Sequence, residues 1–136
     1  MIVLSPREVS LIGRTLTGVE SVTVSRRARK VIEEWSDAGP YCVMADVPEQ
    51  RVSVTLRRSI TADEPWSPGP GQAGAMSFRV GPSAAAPRGR TVSAAVVVLS
   101  VEHEAGPPGG VVQRIEMAAV STTGAVDPIA QQEELS

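Results

Sequence analysis

Apolar and polar residues alternate with a period of two over much of this chain, the pattern of strands with one buried face. Between positions 7 and 26 the runs are Glu8-Val9-Ser10-Leu11 and Val19-Glu20-Ser21-Val22-Thr23-Val24. Gly13-Arg14 between them offers a tight reversal, so a first hairpin is expected here. A strand pair follows at Tyr41 to Ala45 and at Val52-Ser53-Val54-Thr55-Leu56. Val47-Pro48-Glu49 interrupts it, and because proline cannot donate to a ladder, a bulge or a sheet edge is expected there.

The stretch Ser25 to Asp37 supports two readings. Ala28, Val31, Ile32 and Trp35 fall on one helical face, and Arg29–Glu33 and Lys30–Glu34 would be i,i+4 neighbours. The charge order is wrong for a helix, with cations at its start and carboxylates at its end, against the macrodipole. The rival reading carries the Val19–Val24 strand on to Trp35, as one long strand with a solvated, charged middle. The pattern favours the strand. Ser36-Asp37-Ala38-Gly39-Pro40 is turn chemistry that ends either element.

Thr61 to Ala75 is rich in proline and glycine and reads as a loop. Met76 to Val80 reads as a short strand and Gly81 to Arg90 as a second loop. The clearest hairpin joins Thr91–Glu104 to Val111–Thr122 through Ala105-Gly106-Pro107-Pro108-Gly109-Gly110. Its first arm contains Ala94-Ala95-Val96-Val97-Val98-Leu99, apolar on both faces, as in a strand covered on both sides. Thr123 to Ser136 reads as a tail. No internal repeat is visible.

Composition narrows the class further. Valine and isoleucine greatly outnumber leucine, and the aromatics are only Trp35, Tyr41, Trp66 and Phe78. β-branched aliphatics suit a pleated surface, so the fold expected is mainly β. One His (His103) and one Cys (Cys42) cannot make a Cys/His zinc cluster or an internal disulfide within the chain. The longest apolar run, Ala94 to Leu99, is far short of a membrane span, and Met1 to Pro6 lacks the features of a signal peptide. A soluble protein made in a cytoplasm is expected. The net charge of −2 supplies no global basic field for tight nucleic-acid binding.

Four local patterns invite functional readings. Gly69-Pro70-Gly71-Gln72-Ala73-Gly74 matches G-x-G-x-x-G, but it lacks the preceding strand and following helix that a phosphate site needs, and reads as a flexible loop. Arg26-Arg27-Ala28-Arg29-Lys30 is a basic run followed at once by Glu33-Glu34, with no aromatic interleaved. It fits a solvated strand or a protein–protein salt-bridge surface better than a nucleic-acid patch. In Glu102-His103-Glu104, strand geometry turns His103 away from both carboxylates, so a surface or interface histidine is expected rather than an acid/base site. Cys42, beside Tyr41, Val43 and Met44, reads as a small buried hydrophobe. No P-loop, Gly-x-Ser-x-Gly elbow or His-Glu-x-x-His occurs. Catalytic, cofactor-binding and metal-ligating residues are therefore all expected to be absent.

Three stretches carry a family resemblance. The first is Val22-Thr23-Val24-Ser25-Arg26 leading to Glu34-Trp35-Ser36-Asp37-Ala38-Gly39-Pro40, and the second is Ala45-Asp46-Val47-Pro48-Glu49-Gln50-Arg51-Val52. The third runs from Val98-Leu99-Ser100-Val101-Glu102-His103-Glu104 to Ala119-Val120-Ser121-Thr122-Thr123-Gly124-Ala125-Val126-Asp127-Pro128. Together, from about Val19 to Pro128, the chain resembles the siphophage tail tube (major tail) proteins, relatives of the tubes of contractile tails and type VI secretion.

The resemblance implies a small β-sandwich or barrel of antiparallel strands with long hairpins and at most one short flanking helix, at Arg26–Trp35 or Gly81–Arg90. It implies hexameric rings stacked into a hollow tube in the virion tail, made in a host bacterial cytoplasm. Tape measure, terminator and distal tail proteins would be its partners, with DNA passing through the lumen without specific binding and no membrane involved. No catalytic residue, cofactor or metal is carried over. The expected organisation is one domain over 1–128, with a mobile loop at about 61–75, and a C-terminal tail over 129–136; loop and tail would order between rings. Two other classes stay open. One is a non-enzymatic β-domain such as a tail terminator, head–tail connector or binding module, and the other is a small hydrolase around His103 or Asp46/Glu49.

Overall fold

The computed structural model describes residues 2–4, 6–61, 68–81, 89–106 and 110–133. Nine strands account for most of them: β1 (Ile2–Leu4), β2 (Arg7–Leu11), β3 (Arg14–Thr15), β4 (Val19–Trp35), β5 (Cys42–Thr61), β6 (Ala73–Val80), β7 (Arg90–Gly106), β8 (Gly110–Val120) and β9 (Ala130–Glu133). No helix occurs among the described residues. The fold is mainly β, as expected. It is one antiparallel sheet, ordered β1-β4-β5-β8-β7-β6-β2-β3, with β9 added against β7, and it does not close.

Alternation explains how one sheet makes a core. Val24, Val54, Met117 and Val98 form a row of paired positions across β4, β5, β8 and β7, and Val3, Val22, Leu56, Ile115 and Val101 form the next. Met76–Ala94 and Phe78–Val92 continue the inward face across β6 and β7. Val22, Val54, Leu56, Met76, Phe78, Ile115 and Met117 have no exposed surface at all. An open flat sheet could not seal one face this well, so the sheet curls over itself. Val3 near one end of the strand order and Val9 and Leu11 near the other join the same cluster. Each fully buried aliphatic contributes about 1.5–3 kcal/mol relative to exposure.

The ambiguous stretch is strand. Arg26 to Trp35 continues β4 and pairs with β5 down to Trp35–Cys42. A helix here would have had an apolar stripe with nothing to pack against and a reversed charge order, whereas β5 offers a backbone partner along the whole length. The bulge expected around Pro48 is present. Lys30 pairs with Glu49 and Ile32 with Asp46, so Val47 and Pro48 together oppose Val31.

Several expectations are corrected. The first hairpin is not β2 with β4: the chain reverses at Ile12-Gly13, both at positive φ, and returns only as β3, while β2 also pairs with β6. Two positive-φ residues form the type of turn whose twist suits a two-residue hairpin, and β4 finds its long partner in β5. The two expected strands, Tyr41–Ala45 and Val52–Leu56, are one, β5, which begins at Cys42 rather than Tyr41. Regular structure resumes at Ala73 rather than Met76, within the span expected to be loop, because Ala73 to Val80 pairs continuously with β7. Of that expected loop, 62–67 lie outside the described residues, as do 82–88 of the alternative helix position. Where a tail was expected from 129, Ile129 enters the core at 8% exposure and Ala130–Glu133 pairs with Arg90–Ser93; residues 134–136 lie outside the described part.

Candidate functional site: a protruding two-stranded arm

β4 and β5 outrun the core. Inward-facing burial stops at Val24 and Val52, and every residue from Arg26 to Arg51 is exposed. Ten residues of β4 at about 3.3 Å each make an arm roughly 30 Å long. Ser36 to Tyr41 forms its tip, where Ser36 Oγ accepts the Ala38 N–H at 3.3 Å. Among the described residues no third strand pairs with the arm, since β8 stops pairing with β5 at Val52–Ala119 and β1 pairs with β4 only at Ser21–Thr23.

The arm carries apolar surface in solvent. Tyr41 is 81% exposed, Val43 63% and Trp35 59%, with Val31, Ile32, Met44 and Val47 also exposed. Two of the four aromatics in the sequence sit at this tip rather than in the core. Cys42 is therefore not the buried residue expected. It is exposed on the arm, its thiol donating to the Glu34 and Met44 carbonyls. Sequence reasoning misplaced it because an apolar neighbourhood in the chain implies burial only where the strand still overlies the core.

Charge is sorted along the arm. Arg26, Arg27, Arg29, Lys30 and Arg51 occupy the root half, and Glu33, Glu34, Asp37 and Asp46 the distal half. Arg26 is tied to Asp127 at 2.9 Å and Arg29 to Glu49 at 2.6 Å. Arg27 and Arg51 stand directly opposite each other across the ladder, an arrangement of like charges that destabilises a strand pair. The basic run thus lies on an exposed stretch of strand.

The other singled-out residues lie in the body and are not brought together with the arm. His103 faces inward, half-buried, with its Nε2 3.2 Å from Gln113 Nε2, while Glu102 and Glu104 point to the outer face. There they line a shallow groove of about 330 Å³ with Ser21, Thr23, Thr55, Arg57 and Arg114. His103 is thus a half-buried side chain bonded to Gln113 across the ladder. Asp46 and Glu49 belong to the arm, Asp46 opposite Ile32 and Glu49 paired with Arg29, with no histidine beside them. Among the described residues no group of three or more His, Cys, Asp or Glu side chains could hold a metal ion.

The Gly69–Gly74 motif turns directly into β6. The Gly71 N–H bonds the Val98 carbonyl and the Val98 N–H bonds the Gln72 carbonyl, both at 2.8 Å. A Cβ on Gly74 would lie 3.1 Å from Ile12, so this glycine serves close packing.

β7 gives a second unexpected surface. Val92, Ala94, Val96 and Val98 are buried, but on the opposite face Ala95 is exposed, Val97 half-buried and Leu99 37% exposed. The double-sided apolar run predicted cover on both faces, and the isolated chain supplies it on one. Val120, next to this face on β8, is 44% exposed. No protein-family model matches the chain, and no curated protein matches it either.

Proposed function

We propose that this protein is a structural subunit that oligomerises into rings, hexameric in the reading from resemblance, which stack into the tail tube of a phage or phage-like particle. The observation that carries this reading is the unsupported arm. A lone two-stranded ribbon is at best marginally stable in water. Exposed Trp35, Tyr41 and Val43 at its end are costly to leave wet. Such an arm is completed by lying on another copy. The half-covered β7 and the short edge strands β1 and β3 supply further surfaces for joining copies, because open ladder groups accept strand addition. Head-to-tail contacts that do not close build an extended assembly along one axis.

A conduit for DNA during ejection works best when its wall does not hold phosphates. The net charge of −2 is compatible with such a wall. Tape measure, terminator and distal tail proteins would be the natural neighbours of such a tube.

Negative-stain electron microscopy of the purified protein at high concentration tests the proposal. Rings or tubes of uniform diameter are expected. A monomer at every concentration would overturn it and favour a solitary binding module.

A further inference from the structure

The arm's charge order specifies how copies fit together, an inference that rests on the assembly reading above. The two like-charged side chains Arg27 and Arg51 face each other across the ladder, and neither makes an ion pair among the described residues. About six residues further out, roughly 20 Å along the strand, Glu33, Glu34 and Asp46 are likewise exposed without an ion pair among the described residues. One arm therefore presents a carboxylate-seeking row near its root and a cation-seeking band near its tip.

Two arms side by side in register would set arginine against arginine and glutamate against glutamate. Sliding one arm outward by about 20 Å removes both conflicts at once. The same slide sets the apolar tip at Trp35 beside the neighbouring arm's Arg29 and Lys30, just outside its Arg27–Arg51 row.

We propose that the acidic distal half of one arm docks on the Arg27–Arg51 row of a second copy of this chain, with the arms displaced along their length. The contact is heterologous, since each copy offers a tip to one neighbour and a root to another. Its occupant is another copy, because both halves of the complementary pair are present on one chain.

A charge-reversal matrix tests this on the full chain. One variant carries Arg27→Glu and Arg51→Glu, the other Glu33→Lys and Glu34→Lys. All four positions are exposed on the arm, so circular dichroism and thermal unfolding should stay close to the parent protein. Sedimentation velocity is expected to show self-association weakened ten-fold or more in each variant alone. Near-parent association should return when the two are mixed, because every tip then meets a root of opposite sign. Added salt should weaken the parent assembly. Variants that associate as the parent does, or a mixture that fails to recover, would overturn the docking. Rings that persist in both variants would overturn it while leaving the tube reading standing. Closed dimers would overturn both the head-to-tail arm contact and the tube. A parent protein monomeric at every concentration would overturn both.

Discussion

His103 and Gln113 meet inside the sheet, Nε2 to Nε2 at 3.2 Å, although the residues on either side of His103 point to solvent. The amide nitrogen can only donate, so the imidazole Nε2 accepts. A bulge creates this arrangement. Val98 pairs with Met117 and Ser100 with Glu116, which leaves Leu99 as the extra residue of β7. Beyond it Val101 and His103 face inward opposite Ile115 and Gln113, while Glu102 and Glu104 face the outer groove.

Replacing His103 with alanine is expected to cost about 1–2 kcal/mol, because the Gln113 side chain has no exposed surface and loses its partner. Its Oε1 already has no hydrogen-bond partner among the described residues. Thermal unfolding should show a drop of a few degrees, with self-association unchanged in the folded protein. Lost assembly without lost stability would place His103 in an interface instead.

Deleting Leu99 should be tolerated nearly as well as shortening it. At 37% exposure, Leu99→Ala removes little buried surface and should cost under about 1 kcal/mol. The deletion would close the bulge without changing the register, because Val98 already pairs with Met117 and Ser100 with Glu116, so Val101 and His103 would still face inward and Glu102 and Glu104 outward. Val98→Asp, at 1% exposure, should by contrast fail to fold, because an unpaired buried carboxylate is strongly disfavoured. Soluble yield and urea unfolding of the three variants check the order.

Gly18 faces a backbone obstacle. At φ +69 it lies in the left-handed region, and a Cβ there would come within 2.5 Å of the Ser59 carbonyl oxygen. The Gly18 carbonyl also accepts the Ser59 N–H at 2.9 Å, which leads the chain into β4 beside β5. Gly18→Ala should therefore destabilise by about 2 kcal/mol or more. Gly13→Ala, at φ +75 in open space, should cost only about 1–2 kcal/mol. Denaturant midpoints compare the two directly.

Asp127 should make the C-terminal segment sensitive to acid. Its carboxyl is held below the ordinary range, chiefly by the Ile129 N–H donating to Oδ1 at 3.0 Å; burial opposes this, and the Arg26 guanidinium adds to the lowering. A depressed folded-state pKa stabilises above the unfolded value of about 3.9 and loses that contribution as pH falls through the folded value. Amide exchange at Ile129 should therefore quicken in acid, and Asp127→Asn should show the faster rate already at neutral pH. Equal exchange in both proteins at pH 7 would remove this anchor.

The residues themselves determined the all-strand character, the inward rows of β5, β7 and β8, and the opposition of His103 to its two acidic neighbours. Period-two alternation is local, and valine-rich runs write it directly into the chain. The continuation of β4 to Trp35 was legible too, because its charges oppose a helix dipole and Ser36–Pro40 supplies a turn. Tertiary structure decided what each strand meets. β2 takes β6 rather than β4, Ile129–Glu133 returns to the body, and Leu99 bulges to select which face receives His103. Register and pairing depend on residues far apart in sequence, which no local period encodes. The same holds for the arm: Tyr41, Cys42 and Val43 look like core until the sheet shows that they extend beyond it.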